Sequence, residues 1–229
     1  MRVEQPTPRD PKRNIFAEGI NYFTVPAGSI WGEEGPNTLA YMDKANISGV
    51  LLNLASGDGR YMRRLLENAT HVSCLDIDMS ALSKLWHVNI PEKDRARVST
   101  VVANLTEPLP FAEESFDGLF STGTLHFFDE KTLLRVFREI DRVLVPRGKI
   151  LLNFGTNITR TRSDGTPLVY DNEATVYEKN GTIQMLKDCF PLYELEFFVE
   201  PTESIDFFDA NPPYTWSSEV VIMLAQKAS

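Results

Sequence analysis

The feature that most constrains the fold is an alternation of short apolar runs with amphipathic segments between residues 49 and 154. Such short runs are typical of strands buried on both faces of a sheet. In the amphipathic segment 131–145, apolar residues recur every three or four positions, which predicts a helix. Five strands are predicted here, at 50–54, 71–77, 97–103, 116–121 and 149–154, with helices at 60–69, 80–90 and 131–145, and a further helix at 36–46 precedes them.

Strand and helix in alternation predict a mostly parallel sheet with helices on both faces. Residues 157–179 are polar and predict an irregular segment, followed by a helix at 181–190. Two further strands, 192–200 and 219–226, have no full helix between them and are expected to pair antiparallel. The predicted fold class is α/β: a Rossmann-like, doubly wound, mostly parallel seven-stranded sheet with an antiparallel final strand, in three α/β/α layers. One domain is expected over residues 49–229, with residues 1–48 as an N-terminal cap.

The composition is that of a folded, acidic protein. Of 229 residues, 42% are hydrophobic, enough for a sizeable core, so a disordered chain is excluded. The formal net charge of −9 opposes nucleic acid and anionic membranes, and neither is expected as a partner. The two cysteines form no CxxC pair and no metal-ligand spacing, which predicts reduced thiols, no metal site and a cytoplasmic location. These features leave the oligomeric state open.

The first candidate site follows the first predicted strand, where the chain reads Asn53-Leu54-Ala55-Ser56-Gly57-Asp58-Gly59. Glycines there permit a tight turn into a helix and a close approach of the backbone to a ligand. A dinucleotide fingerprint would need a third glycine, which is missing. The turn alone therefore leaves open an ordinary strand-to-helix connection.

A carboxylate after the second predicted strand is the second candidate. Asp76 stands 19 residues after Gly57, close to the interval at which an acidic residue accepts ribose hydroxyls. Asp78 competes with it, but the run Asp78-Met79-Ser80 is typical of a helix N-cap. We therefore predict that Asp76 contacts the ligand and that Asp78 caps the next helix.

The loops after the third and fourth predicted strands complete the edge. The side-chain oxygen of Asn104 can accept from an adenine amino group, and a following backbone N–H can reach a ring nitrogen. A turn asparagine is the alternative for this residue. The polar, glycine-containing run at 121–126 suits the floor of a small pocket.

The four loops together resemble those of class I S-adenosylmethionine (SAM)-dependent methyltransferases. Residues 50–154 carry the resemblance, above all LPFAEESFDGLFSTGTLHFFDEKTLLRVFREIDRVLVPRGKILL at 109–152. It implies a SAM-dependent methyltransferase that releases S-adenosylhomocysteine (SAH). It also implies a cofactor-binding set: Asn53, Ala55, Gly57 and Gly59 near the methionine part, Asp76 at the ribose, Ile77, Asn104 and Leu105 at the adenine, and Thr122 near the sulfonium.

The sequence departs from the family pattern at three of these positions. Asn53 and Ala55 stand where the family usually has an acidic residue and its first glycine, and Asn104 replaces an acidic residue often found there. Two carboxylates are thus missing, which predicts weaker SAM binding, although each asparagine keeps an acceptor. The departures leave open a SAM-binding regulatory protein without catalysis. A nicotinamide-dependent oxidoreductase is a third function, against which the missing glycine and the antiparallel ending count.

Two aromatic residues and one histidine are candidates for the acceptor side. Residues 29–37 resemble the segment that closes over SAM in small-molecule members of the family, so Trp31 and Tyr22 are predicted substrate or lid residues, with plain packing as the alternative. His126 is the candidate catalytic base, with a structural loop histidine as the alternative. The predicted acceptor is an unidentified small molecule, and residues 155–180 are expected beside it.

One further motif points elsewhere. Asn211-Pro212-Pro213-Tyr214 spells a motif of amino-methylating DNA enzymes, in which it follows the fourth strand and grips a flipped base. Here the motif lies near the C-terminus, while residues 121–126 follow the fourth predicted strand. We therefore interpret it as a proline turn between the last two strands, in agreement with the acidic charge.

Overall fold

A seven-stranded sheet forms the centre of the protein in the computed structural model, which describes residues 21–168, 177–207 and 213–229. Its strands are β1 (Gly49–Leu54), β2 (Ala69–Asp76), β3 (Val98–Val102), β4 (Phe116–Ser121), β5 (Leu144–Arg162), β6 (Tyr193–Phe207) and β7 (Tyr214–Lys227). They lie in the order β3-β2-β1-β4-β5-β7-β6, and β7 runs antiparallel to both of its neighbours. Because β1 to β5 are parallel, the predicted Rossmann-like sheet is confirmed.

Helices cover both faces of this sheet. Those in the described ranges are α1 (Pro36–Ala45), α2 (Met62–Asn68), α3 (Met79–Lys84), α4 (Glu130–Val143) and α5 (Lys179–Cys189). Phe137 of α4 and Leu186 of α5 belong to one core cluster, while α1, α2 and α3 contribute to a second. Leu51 and Leu52 belong to opposite clusters, because successive side chains of a strand point to opposite faces. The predicted three layers are therefore present.

The start of β5 departs from the predicted elements. α4 ends at Val143 and β5 begins at Leu144, so Pro146-Arg147-Gly148 lies inside the strand instead of separating it from the helix. Arg147 adopts a φ of 65°, and the pairing with β4 shifts register between Phe116 and Gly118. The strand accommodates these turn residues as a local irregularity.

The end of β5 also differs from the expectation. The strand has 19 residues and continues past the ends of its parallel neighbours to Arg162, which pairs with Tyr214 of β7. The prediction of an irregular segment is therefore wrong for residues 157–162, where threonine and arginine lie on an extension of the sheet. β6 follows β7 along the same extension and pairs Phe207 with Tyr214.

The predicted helix 80–90 consists of two parts. α3 ends at Lys84, and Leu85–Asn89 forms a π-helical turn closed by a 2.9 Å hydrogen bond from Ile90 N to the Leu85 oxygen. The wider turn places Asn89 at the N-terminal segment, where its amide nitrogen donates to the Gly28 oxygen. None of the helices in the described ranges is long and apolar enough to cross a membrane.

Candidate active site

The loops after β1, β2 and β3 lie side by side at the carboxyl edge of the sheet. Ser56 N donates to the Leu75 oxygen and Ala103 N to the Asp76 oxygen, both at 3.0 Å, so each loop is fastened to its neighbour. β1 and β4 are adjacent in the sheet. From β1 the chain continues outward to β2 and β3, and from β4 it continues in the other direction to β5, so the strand order reverses between β1 and β4. Ligands bind at such an edge in open α/β sheets.

The two aspartates after β2 have different tasks. Asp78 Oδ1 accepts from Ser80 N at 2.7 Å and caps α3, as the sequence predicts. Asp76 Oδ2 instead accepts from Gly57 N at 2.7 Å, and Oδ1 accepts from Asp78 N at 3.0 Å. Burial raises the pKa of Asp76 above its ordinary value, although these amide donors pull in the opposite direction. Asp76 therefore joins the β2 end to the glycine loop.

The glycine loop has the backbone that its sequence demands. Gly57 and Gly59 have φ values of 52° and 86°, in the left-handed region that favours glycine. A Cβ at Gly59 would stand 3.0 Å from Leu85 Cγ, so this position also allows close packing. Ala55 also adopts a positive φ, 55°, and its Cβ makes this conformation cost about 1–2 kcal/mol.

Asn53 faces the interior of the protein. Its side chain is buried, and its amide nitrogen donates to Met62 Sδ at 3.4 Å, at the start of α2. The predicted contact with the methionine part of SAM therefore lacks support at this residue. A neutral amide suits this buried place, because an unpaired carboxylate there would be costly.

An apolar surface lies open beside Asp76. Ile77 is 44% exposed and Val102, at the end of β3, is 53% exposed. These two exposed side chains lie at the ends of adjacent parallel strands, so they offer an apolar contact at this edge of the sheet. Sequence analysis singled out Ile77 but missed Val102, whose only signal was its position at a predicted strand end.

The loop after β3 differs from the predicted adenine contact. Asn104 Oδ1 accepts from Thr106 N at 3.0 Å and from Thr106 Oγ1 at 2.9 Å, so both of its lone pairs close a turn. The alternative of a turn asparagine therefore describes this oxygen. Leu105 is buried in the core, which leaves its backbone as the part able to meet adenine.

His126 lies in a short turn, Leu125–Phe127, after β4. Its Nδ1 accepts a 3.3 Å hydrogen bond from Gly155 N, so the proton of the neutral ring is on Nε2. Burial, and secondly the charge of Arg160, lowers the pKa of His126 to about 4. The Nδ1 lone pair of this ring is thus already engaged, which speaks against its use as a base, and the catalytic role of His126 stays a prediction.

Thr122 stands in the same loop, directly after β4. The next residue, Gly123, donates its N–H to Asn153 Oδ1 of β5 at 2.6 Å, which holds this loop against the neighbouring strand. Thr122 therefore lies at the carboxyl edge of β4, and its place near the sulfonium stays a prediction.

The N-terminal segment covers the glycine loop. Trp31 is 51% exposed, and its Nε1 lies 3.5 Å from the place of a Cβ at Gly57. Tyr22 is buried and meets Trp31 edge-on, with ring centroids 6.4 Å apart. Burial, together with the charge of Asp76, raises the pKa of Tyr22 far above its usual value. Tyr22 thus anchors the segment and Trp31 forms its exposed end.

Sequence analysis missed a buried ion pair behind this loop. The side chains of Asp58 and Lys84 are both 0% exposed, and Lys84 Nζ lies 3.1 Å from Asp58 Oδ2. Asp58 stands between the two glycines, and Lys84 ends α3. No local pattern relates two residues this far apart, so the sequence offered no signal for the pair.

The DNA-enzyme motif is separate from this edge. β6 ends at Phe207 and β7 begins at Tyr214, and the two strands are antiparallel, so the motif stands between them and not after β4. Asn211 and Pro212 themselves lie outside the described residues. The loop after β4 is the one that contains Thr122 and His126.

Comparisons with known proteins agree with this edge. A family model described as a methyltransferase domain matches residues 52–152. The human protein named "Probable tRNA methyltransferase 9B" is 24% identical over 140 residues, which cover 61% of this chain and 28% of that protein. This chain therefore aligns with under a third of that relative's length.

Solved structures show the same fold. A candidate methyltransferase from Bacillus halodurans has a TM-score of 0.64 at 16% identity, over 84% of this chain and 100% of that one. A complex of DhpI with SAM has a TM-score of 0.56 at 16% identity, over 80% of this chain and 84% of that one. The matched family model identifies a methyltransferase domain within residues 52–152, and the solved structures, at 16% identity, show that its fold is the one found in SAM-dependent methyltransferases.

Proposed function

We propose that this protein binds SAM at the carboxyl edge of β1, β2 and β3 and transfers its methyl group to a small-molecule acceptor, releasing SAH. The observation that carries the proposal is the pairing of Asp76, bonded to the Gly57 amide, with the exposed apolar side chains of Ile77 and Val102. A carboxylate beside a glycine loop suits ribose hydroxyls, and adjacent apolar side chains suit the faces of adenine.

Each part of the edge would then have a task. Asp76 would accept hydrogen bonds from the ribose hydroxyls, the backbone of Gly57 would contact the methionine part, and Thr122 would stand near the sulfonium. When bound, SAM supplies a methyl group already activated by the positive sulfur. The acceptor's lone pair forms the new bond to the methyl carbon while the sulfur–carbon bond breaks, and its electron pair remains on the sulfur of SAH. The protein therefore contributes alignment and exclusion of water, for which Trp31 is placed.

The proposed acceptor is small and not a polyanion. The formal net charge is −9. Two arginines form contacts with the N-terminal segment that covers the glycine loop. Arg60 Nε donates to the Glu33 oxygen at 2.7 Å, and Arg63 pairs with Glu34. These contacts leave little positive field to attract RNA phosphates.

We also propose that residues 1–48 act as a cap on the domain 49–229, and that the protein works in the cytoplasm, which the free thiols of Cys74 and Cys189 support.

Calorimetric titration with SAM and SAH tests the binding site. The wild type should bind both, and Asp76→Asn should bind SAH about 10- to 100-fold more weakly, because a charged acceptor is lost from the ribose hydroxyls. Asp117→Asn is the matched control. Asp117 is exposed and accepts from Val50 N at the opposite end of β1, so the same change of charge there should leave SAH affinity unchanged. A wild type that binds neither nucleoside refutes the proposal.

The acceptor needs a separate assay. SAM labelled in its methyl group is incubated with the protein and either a small-molecule extract or total tRNA. Label in the small-molecule fraction supports the proposed acceptor class, and label in tRNA contradicts it in favour of the substrate that the human relative's name states.

A SAM-binding protein without turnover is the second candidate. The specific observation is the altered loop after β1, where Asn53 is buried and Ala55, with a φ of 55°, stands in place of the family's usual acidic residue and first glycine. Binding of SAH at the same edge, with no transfer to any acceptor tested, would favour this function.

A further inference from the structure

We infer that Asp58 is a positioning residue that fastens the N-terminal loop, residues 28–31, over the SAM site. The inference rests on the proposed function. Asp58 Oδ1 accepts from Ser29 Oγ at 2.6 Å, and Oδ2 accepts from Ile30 N at 2.8 Å. One carboxylate in the cofactor loop thus receives two hydrogen bonds from the segment that lies over that loop.

Lys84 supplies the opposite charge that this buried carboxylate requires. Its Nζ lies 3.1 Å from Asp58 Oδ2, and both side chains are fully buried. Nζ has no well-directed hydrogen bond among the described residues, so the contact is mainly ionic. A buried ion pair carries a large desolvation cost and adds little stability compared with an apolar pair, so holding a geometry is the role that fits it.

Two further contacts close the same unit. Asn89 Nδ2 donates to the main-chain oxygen of Asp58 at 2.7 Å, and Asn89 Oδ1 accepts from Gly28 N at 3.1 Å. Trp31 N donates to Ser29 Oγ at 3.1 Å, so the hydroxyl that contacts Asp58 also holds the backbone of Trp31. The indole that lies over Gly57 is therefore placed through Ser29 by Asp58, one residue after Gly57.

Because Asp58 lies between Gly57 and Gly59, its hydrogen bonds couple the glycine loop and the N-terminal loop to each other. Movement of the glycine loop shifts the Asp58 carboxylate and with it the N-terminal loop. Loss of the contacts with the N-terminal loop leaves the carboxylate with fewer hydrogen-bond donors. SAM would therefore meet a loop and a lid already aligned with one another, and loosening the tie should weaken binding without changing any residue that contacts the cofactor.

Two variants test the tie. Ser29→Ala removes the hydrogen bond to Asp58 Oδ1 and the one accepted from Trp31 N, and it leaves the buried charges intact, so it should fold. Asp58→Asn with Lys84→Met replaces the ion pair by neutral side chains, and the amide keeps an acceptor at only one of the two oxygen positions that the loop donors contact. Lys44→Met with Glu196→Gln is the control, since it removes an ion pair that is half exposed and remote from the site.

The readouts are amide hydrogen exchange of residues 28–31 without ligand and SAH affinity by calorimetry. In both test variants exchange should be about tenfold faster and SAH affinity about tenfold lower, with an unchanged melting temperature for Ser29→Ala and no effect in the control. Unchanged exchange, or faster exchange with unchanged SAH affinity, overturns the inference. A wild type that fails to bind SAH overturns the proposed function and the inference with it, whereas equal binding by wild type and variants overturns the inference alone.

Discussion

The unusual state of His126 predicts how the stability of this protein depends on pH. The ring is partly buried after β4, accepts from Gly155 N through Nδ1, and lies within the influence of the charged Arg160. Protonating the ring would place a positive charge near Arg160 and would break the hydrogen bond that Nδ1 accepts from Gly155 N. Acidification from pH 7.5 to pH 5 is therefore the informative perturbation.

The magnitude follows from the two pKa values. The pKa is about 4 in the folded protein and 6.5 in the unfolded chain. Between these values the unfolded chain binds the proton and the folded protein does not, so His126 contributes stability above pH 6.5 that is lost as pH falls toward 4. At pH 5, about 1.5 units below the unfolded value, the loss is about 2 kcal/mol at roughly 1.4 kcal/mol per unit.

Denaturant titration at pH 7.5 and pH 5 measures this loss. His126→Asn keeps an acceptor for Gly155 N but does not titrate, so between these pH values it should lose about 2 kcal/mol less than the wild type. His87→Asn is the control, because His87 is exposed on the π-helical turn, and it should follow the wild type. Equal losses in the wild type and His126→Asn would refute the assignment of a neutral, engaged ring.

Three substitutions test the packing and capping of the fold. Gly118→Ala should cost about 2 kcal/mol of unfolding free energy in denaturant, because its Cβ would stand 2.1 Å from Ile47 Cγ2; Gly181→Ala in α5, where a Cβ meets nothing within 4 Å, should gain up to about 1 kcal/mol. Asp129→Ala should cost about 1 kcal/mol in the same assay, because Asp129 Oδ1 accepts from Thr132 N at the start of α4. Equal stability of the two alanine-for-glycine variants, or an unchanged Asp129→Ala protein, would contradict these assignments.

Much of the fold was predictable because its signals are local. The predicted strand 116–121 agrees with β4 residue for residue, and the missing crossover helix correctly predicts antiparallel pairing of β6 with β7. Asp78 caps α3 because an aspartate before a helix meets its free amides whatever the rest of the chain does. Local rules were weakest where a polar segment formed a strand, as at residues 157–162.

In the candidate site, too, the sequence predicted what depends on local signals, and contacts between distant residues decided the rest. Sequence alone placed Gly57, Gly59 and Asp76 at one edge, since positive-φ turns and strand ends follow from residue type and periodicity. Only the tertiary structure decided that the oxygen of Asn104 closes a turn, that Asn53 faces the core and that Nδ1 of His126 is engaged.

The tie between the lid and the cofactor loop depended most on the tertiary structure. Ser29, Asp58 and Lys84 come from three separate segments of the chain, and nothing in any one of them indicates the other two. Side-chain periodicity reports which face of an element is buried, so the sequence by itself determined the sheet, its layers and the edge that carries the site. Hydrogen bonds, charge states and burial depend on which distant groups meet in space, and those were decided only when the chain was folded.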